Sequence, residues 1–302
     1  MIKNYIDSFS RSCGLDNEEI FFETGLKMIL VLLLLFVDDI PLDGIVVPLI
    51  TLPGILLRPV IFNRFYWLGI TALFVFFYQY LGLQHYLPNH HYIFSYILIA
   101  TTVALFAKHY DEDWKSLFSK MARLIIGFCF LFATIGKFLA PEFLNGSFFE
   151  FTCLTDERFH GMTSVVGGVD TAVLYNGYLD FMSLLHTTNP ATSITLQSVG
   201  ILKPLSYFLS YWTIFIEGMI GITFLSPAGS KLHRIREVFL IAFIITTYPI
   251  ATVPGFATTL ALLAYLQTHK AGRLNYLSYF YILLFLAIPL FKVPFLRILN
   301  MI

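Results

Sequence analysis

Apolar runs close to twenty residues long recur along most of this chain, and nearly all of its charge falls in the connections between them. Few folds accommodate that pattern. A helix needs about 20 apolar residues to cross the hydrocarbon core of a bilayer, and there every backbone N–H and C=O must be satisfied within the segment. The expected fold is therefore all-α: a polytopic membrane helical bundle of about eight or nine spans. It reads as a single integral membrane domain over residues 1–302. Composition agrees, because 57% of the residues are hydrophobic and only 13% charged, about half the charged share of a soluble domain. Lys plus Arg and Asp plus Glu balance at 19 each, so no basic surplus points to nucleic acid.

The expected spans are Ile20–Val37, Phe65–Leu83, His91–Ala107, Leu117–Leu139, Pro204–Leu225, two helices within Ile235–Leu266 divided at Pro249 and Pro254, and Asn275–Leu290. Ile40–Phe62 is apolar but carries Pro41, Pro48, Pro53 and Pro59, a density that rules out a regular helix. It reads as a re-entrant or interfacial piece, or as a short broken crossing. Asp16 and Glu19 have the spacing of an N-cap and its partner ahead of the first span. That span reads as an uncleaved anchor, since no small-residue cleavage site follows it. Lys108, Lys115, Lys120 and Arg123, then Lys231, Arg234 and Arg236, then Lys270 and Arg273 fall on one side if the spans alternate. That side is expected to be cytoplasmic. The orientation of the N-terminus depends on whether Ile40–Phe62 crosses. The connection over about 140–203 falls outside. Its length calls for structure of its own, expected as short helices over the outer mouth, with a peptide or partner subunit as its candidate ligand.

Glu217 is the only acid between Lys203 and Lys231, a stretch with no basic residue inside it. A carboxylate at that depth costs about 2.5–3.5 kcal/mol on insertion scales, so it should face an interior, a partner or water. Ser206, Ser210, Thr213, Glu217 and Gly221 follow one helix face. The stripe is open to three readings: helix–helix hydrogen bonding, a ligand or proton site, and a subunit contact. Lys137 lies near the outer end of its span. It reads either as a snorkelling lysine or as a cation paired with Glu217 that can also serve as a base. Cys129, Ala133, Gly136 and Ala140 form a small-residue stripe suited to close helix packing. His90 and His91 open a span after the turn residues Pro88 and Asn89, on the same outer side as Lys137. Neither the histidines nor Cys13, Cys129 and Cys153 have metal-ligand spacing, and no metal is expected.

In chain order stand Asn89-His90-His91-Tyr92-Ile93, then Gly136-Lys137 with Gly146 nine residues after the lysine, then Ile216-Glu217-Gly218 with Gly221. Over roughly Phe65–Leu266 this order resembles the membrane domain of vitamin K-dependent gamma-carboxylases and their bacterial relatives, the HTTM (horizontally transferred transmembrane) proteins. The resemblance implies a reduced quinone, vitamin K-like, as cofactor. It implies His90 beside that quinol, Lys137 as the base that starts its oxygenation, and Glu217 as the acid of the later span. His91, Ser210, Thr213 and Tyr248 would contact the cofactor. The sequence departs from the family pattern in three places. Phe138 stands at the usual lysine position by ungapped counting, Phe143 replaces the customary Trp, and Thr246-Thr247-Tyr248 occupy the span that usually carries a histidine. The large soluble part that docks a protein substrate in the carboxylases has no counterpart here. The expected function is quinone-dependent redox or lyase chemistry in the membrane. The alternatives are an accessory factor for peptide maturation or export, and a small-molecule transporter.

Overall fold

The computed structural model describes residues 17–35, 43–82, 89–110, 113–186, 200–251, 253–268 and 276–290. Every regular element among them is a helix. In chain order these are α1 (Asn17–Leu35), α2 (Asp43–Leu56), α3 (Arg58–Ile61), α4 (Arg64–Gly82), α5 (Asn89–His109), α6 (Trp114–Leu139), α7 (Pro141–Leu144), α8 (Ser147–Thr155), α9 (Glu157–Val165), α10 (Thr171–Leu185), α11 (Leu202–Leu225), α12 (Lys231–Arg234), α13 (Arg236–Thr247), α14 (Pro254–Gln267) and α15 (Tyr276–Leu290). Among the described residues, three helices are long and apolar enough to cross a membrane: His90–His109, Trp114–Leu139 and Leu202–Leu225. Ile45–Leu56, Arg64–Phe76 and Tyr276–Pro289 are apolar but shorter. The chain forms two compact units, one from Met1–Ile126 with Pro254–Leu290, the other containing Gly127–Val253.

The first unit is organised around α14. Ala257 through Gln267 are all buried, so this helix has no solvent face. A helix apolar all round belongs in a core, and α14 packs against α1, α5 and α15. Tyr265 stacks on Phe21 with ring centroids 4.5 Å apart, and its Oη donates to the Phe21 carbonyl at 2.8 Å. Gly25 of α1 lets Leu266 and Tyr265 approach, and any side chain there would strike Leu266. Buried hydroxyls on neighbouring helices satisfy one another. Thr71 meets Thr102 at 2.7 Å, and Thr268 meets Ser278 at 2.8 Å.

Ion pairs mark one end of this unit. Glu18, at the start of α1, accepts from Lys115, at the start of α6, at 2.6 Å. Arg58, just after α2, bridges Glu19 at 2.6 Å and Glu23 at 3.2 Å. Lys108, late in α5, lies over the Phe62 and Trp114 rings at 4.3 and 5.3 Å. At the opposite end the His90 ring covers Gly255, at the start of α14. Within this unit α2 packs against α1, and Arg58 brings the chain back beside Glu19 and Glu23.

The prolines of Ile40–Phe62 do not prevent a helix. Pro48 and Pro53 lie inside α2, although each removes an N–H and crowds the carbonyl one turn back. Packing against α1 and α3 holds α2 in place, and the Tyr66 hydroxyl donates to the Ile50 carbonyl at 2.8 Å. The break comes only at Leu57, whose backbone is extended (φ −112°, ψ 106°). Pro59 then falls in the first turn of α3, where a missing N–H goes unnoticed. The Asp16 cap proposed for the first span lies outside the described residues, as does Cys13.

In the second unit the C-terminal half of α6 lies against α11. Gly221 brings the α11 backbone against Leu131, so close that a Cβ would sit 3.0 Å from the Leu131 nitrogen. Gly127 similarly receives Leu225, and Gly218 faces Thr134. The close-packed face of α6 is thus Gly127–Leu131–Thr134. The stripe Cys129, Ala133, Gly136 and Ala140 does not fill that role, because Gly136 has nothing within 4 Å of where a side chain would start. Both stripes have helical spacing, and small size alone does not tell which one meets a partner.

The long connection is built from α7–α10, as short helices with a core of their own. Phe149, Cys153, Leu154, Phe159, Met162 and Leu174 are buried there together with Leu202 and Leu209 of α11. Asp156 and Asp170 cap α9 and α10, accepting from the backbone N–H of Arg158 and Ala172. Gly146 adopts a left-handed backbone (φ 76°) and faces the Tyr207 amide, where a Cβ would come within 3.2 Å. Only glycine meets both demands without strain.

Candidate functional site: a buried lysine–glutamate pair

α11 carries Ser206, Ser210, Glu217 and Gly221 on its buried face, and α6 brings Lys137 to the same unit. Lys137 Nζ donates to Glu217 Oε2 at 2.5 Å. Both groups are largely buried, with 15% and 10% of their side chains exposed. The close approach of Gly221 and Gly218 to α6 is what lets a carboxylate on one helix meet an ammonium on the other. The Phe143 ring, which follows α6 on α7, lies 5.4 Å from Lys137 Nζ, so its π-face shares the charge. Phe143 is itself held by stacking on Phe148 at 4.1 Å.

Tyr248 meets Phe243 edge-on at 6.0 Å. The hydroxyls of Ser206, Ser210 and Tyr248 are buried with no hydrogen-bond partner. That of Thr213 is spent on the Leu209 carbonyl at 2.6 Å. Thr246, on the span where the family pattern carries a histidine, accepts from Trp212 Nε1 at 3.2 Å.

Of the residues singled out from sequence, the second unit brings together Lys137 and Glu217, with Ser210 and Thr213 on the same helix as the acid and Tyr248 in the same unit. His90 and His91 belong to the first unit. Their rings lie 4.6 Å apart, and His91 is 2% exposed. One contributor, Phe143, is not visible in the sequence, because its ring position beside Lys137 depends on the turn at Ala140. Among the described residues, no group of three or more His, Cys, Asp or Glu is placed to hold a metal ion.

The architecture is thus all-helical, with an ion pair joining two of the three helices long enough to cross a membrane. No family model, curated protein or solved structure matches the chain.

Proposed function

We propose that this chain is a membrane enzyme of redox or lyase type whose Lys137–Glu217 pair acts as the acid–base centre on a lipid-soluble, quinol-like substrate. The observation that carries the reading is the pair itself, buried between α6 and α11. An intramembrane ion pair is costly and is characteristically functional. In this reading nine helices cross: α1, α2, α4, α5, α6, α11, α13, α14 and α15. The outward apolar side chains of α6 and α11, such as Phe132 at 65% and Phe208 at 62% exposure, then face lipid. Arg58, Lys108 and Lys115 mark the cytoplasmic end.

Lys137 passes a proton to Glu217 across their hydrogen bond and so presents a nitrogen lone pair. A quinol O–H then breaks and an N–H forms on Lys137, leaving a quinolate. Phe143 and the buried hydroxyls of Ser210 and Tyr248 orient the ring. A reduced quinone as the substrate rests on the resemblance to gamma-carboxylase-like HTTM proteins.

The test is extraction of the purified protein for co-bound quinone, followed by quinol-dependent oxygen uptake. Bound quinone, with uptake lost in Lys137→Ala and His90→Ala proteins that still fold, is the expected result. Absence of both quinone and uptake would overturn the reading.

A further inference from the structure

The α7–α10 layer holds a cleft of about 290 Å³ between α8, α9 and α10. None of its lining residues belongs to the Lys137–Glu217 site. Phe151, Tyr178, Phe181 and Met182 line it together with the carboxylates Asp156 and Glu157. Phe151 and Phe181 meet edge-to-face at 5.3 Å, which fixes the wall. Arg158 is committed to Asp156 through two side-chain nitrogens and its backbone N–H, so it is tied down beside the cleft. The charge extends well beyond the cleft. Residues 140–186 carry Glu142, Glu150, Asp156, Glu157, Asp170 and Asp180 against Arg158 alone, with no lysine.

We propose that this cleft receives a basic side chain of a peptide segment, its cation over the aromatic walls and beside Glu157, its stem against Met182. Three aromatic faces and a thioether suit the apolar stem and the π-facing cation of Arg or Lys. The cleft lies at the lower limit of sites for whole small molecules. The acidic layer around it complements a chain with several basic residues rather than a lone amine.

The experiment uses the full chain in an uncharged detergent. A fluorescein-labelled peptide of alternating Arg and Leu is titrated by anisotropy, beside the same peptide with citrulline in place of Arg. The Arg peptide should bind at least about tenfold more tightly, with the margin shrinking as salt is raised. Glu157→Gln should weaken it, and Met182→Trp, which fills the cleft, should weaken it more. Asp156→Asn keeps the α9 cap and should also weaken binding, which separates lost charge from lost folding. Equal binding of the citrulline peptide overturns the proposal. So does Arg-peptide binding that Glu157→Gln and Met182→Trp both leave unchanged, and so does displacement by free phenylethylamine as effective as by unlabelled peptide. No quinone enters the assay, so its failure is independent of the proposed acid–base chemistry.

Discussion

Removing the Glu217 carboxylate would leave the Lys137 ammonium buried without its counter-charge. Breaking one side of such a pair costs about 3 kcal/mol or more. Glu217→Ala should therefore lower the thermal unfolding midpoint in detergent well below that of Glu217→Gln, whose amide oxygen still accepts from Nζ. Equal midpoints for the two variants would mean that the hydrogen bond at 2.5 Å contributes little. Asp156 provides a second test at this scale. Burial alone would raise its carboxyl, but the Arg158 side chain, backbone N–H and charge outweigh that and hold it below the ordinary value. A depressed folded pKa means that its contribution is fully present above the unfolded value of about 3.9 and is lost as pH falls through the folded one. Amide exchange at the start of α9 should accelerate in acid below about pH 4. In Asp156→Asn, which keeps a capping oxygen but does not titrate, that acceleration should disappear. Cys153 is completely buried and its thiol is pushed up by burial to about 11. Iodoacetamide at pH 8 should modify it far more slowly in the folded protein than after denaturation.

Among the helices, the α6–α11 contact makes the sharpest prediction. Gly221→Leu must push the α11 backbone off Leu131 and should destabilise by about 1–3 kcal/mol. Gly136→Leu enters open space and should be close to neutral. Thermal unfolding of both variants checks the contrast, and similar losses would contradict the assigned packing face. The same contrast shows which features were legible in the sequence. Hydropathy marks where helices run: each expected span coincides with a helix among the described residues, and three of those helices are long and apolar enough to cross a membrane. The Glu217 face was readable because a charge in an apolar run has one tolerable orientation. The packing face of α6 was not, because Gly127–Leu131–Thr134 and Cys129–Ala133–Gly136 differ only in which neighbour they meet. The helix through Pro48 and Pro53 was unreadable for a related reason. Local propensity forbids it, and the contacts with α1, α3 and Tyr66 that override propensity are tertiary.

On the scale of the whole chain, the ion pairs of Glu18 and Arg58 fix the direction of α1 and α2 within their unit. Single cysteines at Glu19 and Tyr110, in a background without other cysteines, should react with an impermeant thiol reagent from one face of the membrane. A cysteine at Leu35 should react only from the other. Labelling at Tyr110 from the face of Leu35, opposite to Glu19, would exclude a crossing α2. The burial of α14 on every side also bears on how the chain is made. Phe21 and Tyr265 are 244 residues apart in sequence, and residues 127–253 of the second unit are synthesised between them. Chains generally fold their units in the order in which they are synthesised, yet here the earlier-emerging helices must wait for the later one. During that interval α1 and α5 present to lipid, or to a chaperone, the surfaces that α14 will cover. A ribosome stalled before residue 254 would leave the first unit without its central post, even though most of its helices had already been made.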